Sequence, residues 1–192
     1  MDKLIAITGG IGSGKSTVSS IIKQLNYKVF SADEVYRELL LDSGFVKTIY
    51  TALGIESEDF VFDKELISKK VFNNKEMLSK LNAVTHPAIM DRMLNLSKAE
   101  KGIVFNEVPL LFEGGYESLY DKVIIVIRDE KSRVDAVAKR DNISASDVKK
   151  RIDNQVNYEN ISTNAHTLIV NDGSLSELTQ KVKAVISEIV KG

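Results

Sequence analysis

A glycine-rich segment near the start of the chain constrains the fold more than any other feature. The residues Gly9-Gly10-Ile11-Gly12-Ser13-Gly14-Lys15-Ser16 match the pattern G-x-x-x-x-G-K-[ST] in full, and Thr17 follows. Glycines let successive backbone N–H groups point at one phosphate, and a helix N-terminus adds further donors. The segment therefore predicts a P-loop for a nucleoside triphosphate, with Lys15 at the β- and γ-phosphates, Ser16 on Mg²⁺ and Thr17 lining the same site.

Short apolar runs along the chain predict five strands, and helical patterns lie between them. The runs are Leu4–Ile7, Val29–Phe30, Ile103–Phe105, Val123–Ile127 and Leu168–Val170. Several are continuously apolar, which is typical of strands buried on both faces of a parallel sheet. Strands alternating with helices predict an α/β fold. We expect a three-layer fold of the P-loop NTPase type with a five-stranded parallel sheet.

The spacing between the predicted strands is uneven. About 70 residues separate the second strand from the third, far more than one crossover helix needs. We expect a helical insert at about 43–100 and a helical lid at about 131–160. The core is expected at about 1–42, 101–130 and 165–192. Ser174-Leu175-Ser176-Glu177 fits a capping box that opens a final helix.

Composition excludes several classes of function. The net charge is −1, with 26 basic and 27 acidic residues, so no basic excess indicates a nucleic-acid or membrane surface. There is no cysteine, which excludes disulfides and thiolate chemistry. Apolar runs are too short for a signal peptide or a membrane span. We expect a soluble cytoplasmic protein with no obligate protein partner.

The P-loop alone does not choose a reaction. The [NT]-K-x-D and D-x-x-G patterns of GTPases are absent. Motor ATPases carry an acidic residue directly at the end of a long apolar strand, whereas the strongest apolar run here, Val123–Ile127, is followed by Arg128. Small-molecule kinases place an acid after the second strand and an arginine on a lid. Asp33 fits the first position, although it could also be a helix N-cap. A nucleotide-switched binding protein remains an alternative.

The predicted lid carries a local positive patch on a neutral protein. Arg140 precedes the polar joint between its two helices and is the main candidate for contacting the transferred phosphoryl group. Arg133 is a weaker candidate. A solvated helix face is the more common meaning of such residues, and we assign it to Lys131, Lys139, Lys149 and Lys150.

An ordered set of motifs along nearly the whole chain resembles the dephospho-CoA kinase family. Besides the P-loop, the set comprises Ser31-Ala32-Asp33, His86-Pro87, Val108-Pro109-Leu110-Leu111-Phe112-Glu113, Lys139-Arg140-Asp141, Arg151-Ile152 with Gln155, and Asn171-Asp172-Gly173. The resemblance implies that ATP, with Mg²⁺, phosphorylates the ribose 3′-hydroxyl of dephospho-CoA. Another small P-loop kinase for nucleosides or nucleotides is the alternative.

The resemblance also assigns further residues to the site. It implies that Asp33 aligns the acceptor and that Asn171 and Gly173 lie on the nucleotide side. Tyr36 and Arg37 follow Asp33 and are candidates for substrate contact, although a tyrosine more often packs a helix. His86 is either a substrate contact or a structural residue at a helix start.

Two departures from the family pattern stand out. Ser31 replaces the usual first acid, and Ala165-His166-Thr167 replaces alanine, aspartate and an aromatic residue. We interpret His166 as a surface substitution without a catalytic role. Glu107 and Glu113, on either side of Pro109, could contact metal-bound water or the acceptor, or could be structural.

Overall fold

The computed structural model describes residues 2–158, 161 and 166–191, and it confirms the α/β fold. One five-stranded sheet has the order β2-β3-β1-β4-β5. The strands are β1 (Lys3–Thr8), β2 (Lys28–Ser31), β3 (Ile103–Glu107), β4 (Lys122–Ile127) and β5 (Thr167–Val170). β1 runs parallel to both β3 and β4, and β4 runs parallel to β5. The predicted five-stranded parallel sheet with flanking helices is confirmed.

Helices fill the intervals between the strands. They are α1 (Lys15–Gln24), α2 (Ala32–Leu39), α3 (Ser43–Leu53), α4 (Lys64–Val71), α5 (Lys75–Lys98), α6 (Glu130–Asp141), α7 (Ala145–Asp153) and α8 (Leu175–Lys191). The capping box before α8 is confirmed, because Ser174 N–H donates to Glu177 Oε2 at 2.7 Å and Glu177 N–H donates to Ser174 Oγ at 3.3 Å.

The chain groups into two compact units, of which the first comprises residues 1–29 and 99–192. Its core lies where α1 and α8 cover one side of the sheet. Ile5, Ile7, Ile22, Phe105 and Ile124 are completely buried there, and Val182 of α8 joins them. Burial on this scale fixes the carboxyl ends of β1, β3 and β4, which carry the candidate site.

The second unit comprises residues 30–98 and contains the end of β2, the helices α2, α3, α4 and α5, and the loops that connect them. α5 packs against α2, α3 and α4. Val46, Ile49, Tyr50 and Leu53 of α3 form its core together with Ile67 of α4. The boundaries expected for the insert and the lid stay predictions, and residues 159, 160 and 162–165, with Ala165 among them, lie outside the described residues.

The prediction that a helix starts near His86-Pro87 is wrong. Both residues lie inside α5, which runs without a break from Lys75 to Lys98. Proline lacks the N–H that would bond one turn back, so the sequence favoured a boundary here. Packing along the length of α5 offsets the loss of one backbone hydrogen bond, since tertiary contacts supply most helix stability in proteins.

In the part of the chain that the structure describes, every helix is too short or too polar to cross a membrane.

Tyr50 ties the loop before α4 to α3, and its loss should destabilise the second unit. Its hydroxyl donates to the Val61 carbonyl at 2.7 Å and accepts from Asp63 N–H at 3.0 Å. Tyr50→Phe removes both bonds without opening a large cavity, so we expect the free energy of unfolding to fall by about 1–3 kcal/mol. Urea denaturation measures this change. An unchanged unfolding midpoint would contradict the role given to the hydroxyl.

Candidate active site

The P-loop connects the end of β1 at Thr8 to the start of α1 at Lys15, as predicted. Gly9 has a φ of 144° and Gly14 a φ of 96°, values that L side chains rarely adopt. A Cβ at Gly9 would collide with the Val126 carbonyl oxygen, and a Cβ at Gly14 would collide with Asn171 Nδ2. Both positions therefore require glycine, because neighbouring segments press directly on the loop.

Lys15 lies on the loop that it follows. Its Nζ donates to the Gly9 carbonyl at 2.7 Å and to the Gly10 carbonyl at 3.1 Å. The ammonium group is partly buried. A positive charge is thus fixed against the segment whose N–H groups and helix N-terminus are expected to bind phosphate.

Asn171 and Gly173 follow β5, but they have different surroundings. Asn171 Nδ2 donates to the Ser13 carbonyl at 2.8 Å, which brings this residue directly onto the P-loop. Gly173 lies instead at the start of α8, where a Cβ would come 2.5 Å from Glu177 Oε2. The structure therefore joins Asn171 to the predicted nucleotide site, while Gly173 leaves room for the capping box.

Two side chains hold the tip of the P-loop at Ile11. Gln155, just after α7, accepts a hydrogen bond from Ile11 N–H at 2.7 Å. Arg133 of α6 donates from Nε to the Ile11 carbonyl at 3.0 Å. The sequence marked both residues without indicating this contact, since more than 120 residues lie between Ile11 and Arg133. Only charge and family resemblance pointed to them.

Arg140 is bound to its neighbour Asp141. Its Nε donates to Asp141 Oδ1 at 2.7 Å and its Nη2 to Oδ2 at 3.1 Å, and Arg151 Nη1 lies 3.1 Å from the same Oδ2. The hydrogen bonds from Arg140, together with the two positive charges, hold the pKa of Asp141 below its ordinary value. The side chain of Arg140 is 64% exposed. An exposed guanidinium paired to a carboxylate can exchange that partner for a phosphoryl group at low cost.

A cavity of about 260 Å³ opens beside the P-loop in the first unit. Its lining includes Gly10 and Ser13 of the loop, Arg128 and Arg133, and Tyr158. The Tyr158 hydroxyl donates to the Pro109 carbonyl at 3.1 Å, and burial raises its pKa to about 12. Tyr158 therefore stays protonated at neutral pH and acts as a neutral wall.

The two acidic residues on either side of Pro109 have different environments. Glu107 is 8% exposed at the end of β3, where it is paired in register with Ile7 just before the P-loop. Glu113 is exposed, and its Oε1 accepts from Val156 N–H at 3.2 Å. Glu113 thus has a structural hydrogen bond to the segment after α7. Glu107 is a buried residue at the carboxyl end of β3, on the side of the sheet that carries the candidate site.

The interpretation of His166 as a surface substitution needs correction. His166 is partly buried, and its ring packs edge-on against Phe112 with centroids 5.4 Å apart. Edge-on packing of two rings is stabilising, so even the polar imidazole ring is partly buried where a neighbouring ring is available.

The candidate acceptor residues belong to the second unit. Asp33 is exposed in the first turn of α2, and its carbonyl accepts from Arg37 Nε at 3.1 Å. The N-cap of α2 is Ser31, so the alternative reading of Asp33 as an N-cap is wrong.

Tyr36 packs edge-on against Phe45, and burial raises its pKa. His86 is partly buried in α5, and that burial lowers its pKa, so its imidazole is neutral at pH 7.

The P-loop offers a side-chain oxygen, the hydroxyl of Ser16, in a position that suits Mg²⁺ bound together with a nucleotide. Ser16 presents an exposed hydroxyl in the first turn of α1. Among residues 2–158, 161 and 166–191, no three acidic or histidine side chains cluster as a ready metal cage. Mg²⁺ is commonly held by one or two protein oxygens together with substrate phosphates and waters, so a single hydroxyl beside a phosphate loop fits it.

Comparisons with known proteins agree along the length of the chain. A family model described as dephospho-CoA kinase matches residues 3–177. A dephospho-CoA kinase of Fusobacterium nucleatum is 34% identical over 184 residues, which cover 94% of this chain and 95% of the relative. Two of the similar solved structures bear on the fold. The crystal structure of a Thermus thermophilus protein has a TM-score of 0.81 and 31% identity and covers 97% of each chain.

The other is a dephospho-CoA kinase from Campylobacter jejuni, with a TM-score of 0.67 and 28% identity over 100% of this chain and 99% of that one. Sequence similarity and fold similarity thus point to the same group of proteins. The chain belongs to the dephospho-CoA kinase family.

Proposed function

We propose that the protein transfers the γ-phosphoryl group of ATP to the 3′-hydroxyl of the dephospho-CoA ribose, the final step of coenzyme A biosynthesis. One observation carries the proposal: the family match over residues 3–177 surrounds a complete P-loop. We also propose that the enzyme acts in the cytoplasm, without nucleic acid, membrane or obligate protein partner.

The P-loop and Lys15 would hold the donor. The ammonium group donates to the carbonyls of Gly9 and Gly10, on the segment whose N–H groups would bind the phosphates. Its charge would balance the charge that develops on the β–γ bridging oxygen as that bond breaks. Ser16 would provide the protein ligand for Mg²⁺, which when bound would neutralise negative charge on the phosphates.

Asp33 would align the acceptor. Its carboxylate is exposed in the first turn of α2. It would accept the proton of the 3′-hydroxyl as the new O–P bond forms and ADP leaves. Tyr36, Arg37 and the neutral His86 belong to the same unit and would contact the substrate.

Arg140 would stabilise the transferred group. In the structure its guanidinium makes two parallel hydrogen bonds to Asp141. The same planar pair of donors matches two oxygens of a phosphoryl group. On closure of the lid the arginine would exchange the carboxylate for the phosphoryl group, and closure would exclude water that could otherwise hydrolyse ATP.

Replacement of Arg140 by alanine should lower kcat by about 100-fold, because one charged donor to the transition state is lost. The KM for dephospho-CoA should change by less than about 3-fold, because Arg140 is not expected to hold the acceptor. Lys139→Ala is the matched control, since Lys139 is an exposed cation on the same turn of α6. Equal kcat values for the two variants would contradict the role of Arg140.

The deciding experiment is ADP release from ATP and Mg²⁺ with each of several acceptors. Dephospho-CoA should stimulate ADP release strongly, while AMP, dCMP, adenosine and shikimate should not. Turnover on one of the other acceptors instead would support a different small P-loop kinase. Slow ATP hydrolysis that no acceptor changes would indicate a nucleotide-switched binding protein and overturn the proposal.

A further inference from the structure

We infer that Arg133 and Arg128 form a second cationic contact for the phosphates of the donor, in the cavity beside the P-loop tip. The inference depends on the proposed function only in taking a nucleoside triphosphate as the donor. It does not depend on which acceptor is used. Both arginines line the same cavity as Gly10 and Ser13, so a ligand in that cavity touches the P-loop.

Arg133 is fixed against the loop by its Nε. The bond to the Ile11 carbonyl uses one N–H of the guanidinium, and Arg133 also lines the cavity. Gly10 makes this position possible, because a Cβ there would lie 2.5 Å from Nη2 and 2.9 Å from Cζ of Arg133. The guanidinium thus lies directly on the segment that is expected to bind phosphate.

Arg128 provides an independent observation. It follows β4 directly, and its Nε is buried without a hydrogen-bond partner among the residues that the structure describes. A buried N–H of this kind is rare in folded proteins and is costly when nothing accepts from it. An oxygen-rich anion in the cavity would accept from it.

The charges around the cavity favour an anion close to the loop. Glu130 and Asp153 also line the cavity, but both are exposed, whereas Arg128 and Arg133 are partly buried. Water screens the exposed carboxylates more than the partly buried guanidinium groups. Tyr158 is neutral at physiological pH and adds no negative charge.

The contact also explains why two side chains hold Ile11. Gln155 accepts from the N–H and Arg133 donates to the carbonyl, so the peptide groups at the loop tip keep one orientation. Arg133 would therefore both hold the loop in one conformation and provide positive charge for the phosphates of the donor. A lysine could supply the charge, but it lacks the planar set of N–H donors that can reach the Ile11 carbonyl and a phosphate oxygen at once.

The test measures nucleotide affinity by calorimetry, with ADP and AMP as probes and no acceptor present. Arg133→Gln should weaken ADP binding by about 10-fold or more and AMP binding by less than about 3-fold, because the contact is to phosphates beyond the first. Arg128→Gln should weaken ADP binding by at least about 5-fold. Arg133→Lys should recover only part of the loss. Lys131→Gln removes an exposed charge from the same helix and should leave ADP binding within about 2-fold.

Two outcomes would overturn the inference. One is an ADP affinity in Arg133→Gln equal to that in Lys131→Gln. The other is an equal loss of ADP and AMP affinity in Arg133→Gln, which would indicate a structural role at Ile11. Thermal unfolding of each variant shows whether the fold is retained. If Arg133→Gln fails to fold, Arg128→Gln still tests the inference, because Arg128 does not hold Ile11 as Arg133 does. Binding without an acceptor separates this inference from the acceptor assignment.

Discussion

Replacement of Lys15 by alanine is expected to lower kcat for ADP formation by about 1000-fold or more. The ammonium group of Lys15 donates to the carbonyls of Gly9 and Gly10, on the loop that binds the phosphates in the proposed function. Alanine would leave the growing charge on the β–γ bridging oxygen without this partner. Steady-state ADP release with saturating dephospho-CoA measures the loss.

The fold should survive this change. Lys15 is only partly buried, and its two bonds to the loop can be replaced by water. Lys23→Ala, on an exposed position of the same helix, is the control and should keep full turnover. Turnover of Lys15→Ala within about 10-fold of the unsubstituted protein would contradict the assigned role.

Replacement of Asp33 by asparagine should lower kcat by about 100- to 1000-fold, because an amide keeps the shape of the carboxylate but cannot take the proton of the acceptor. The KM for dephospho-CoA should rise much less, since the amide oxygen can still accept a hydrogen bond. Asp33 is exposed and does not cap α2, so the unfolding midpoint should hardly move.

Glu34→Gln is the matched control for Asp33→Asn. Glu34 is the next residue in the first turn of α2, and its replacement removes the same charge from the same helix end. A loss of turnover shared by both variants would point to the general electrostatics of the helix terminus. Near-normal kcat in Asp33→Asn would remove Asp33 from the mechanism.

The parts of the fold that sequence reasoning predicted are those set by local patterns. Continuous apolar runs located all five strands, and the glycine pattern located the P-loop between β1 and α1. Ser174 and Glu177 predicted the start of α8, because a capping box is complete within four residues. Each of these signals is contained in a short window of the chain.

Most of the features that sequence reasoning did not predict depend on residues far apart in the chain. Neither propensity nor spacing indicates that Arg133 and Gln155 meet at Ile11, or that His166 packs on Phe112. The continuity of α5 through Pro87 is of the same kind, because packing against other helices overrides a local rule. The pairing of Arg140 with Asp141 is local, but side-chain partners on a charged helix cannot be chosen from sequence alone.

The position of β1 in the middle of the sheet has a consequence for how the chain is made. Lys3 lies opposite Ile103 on one side, and Thr8 lies opposite Ile125 on the other. The strand that leads into the P-loop therefore has no sheet partner until more than half of the chain has been synthesised, whereas α3 and α5 meet through contacts much closer in sequence. Closing such long loops is slow, and an unpaired apolar strand is prone to aggregation while it waits. On the ribosome, we expect the helices of residues 30–98 to form first and the nucleotide-binding loop to acquire its shape only afterwards.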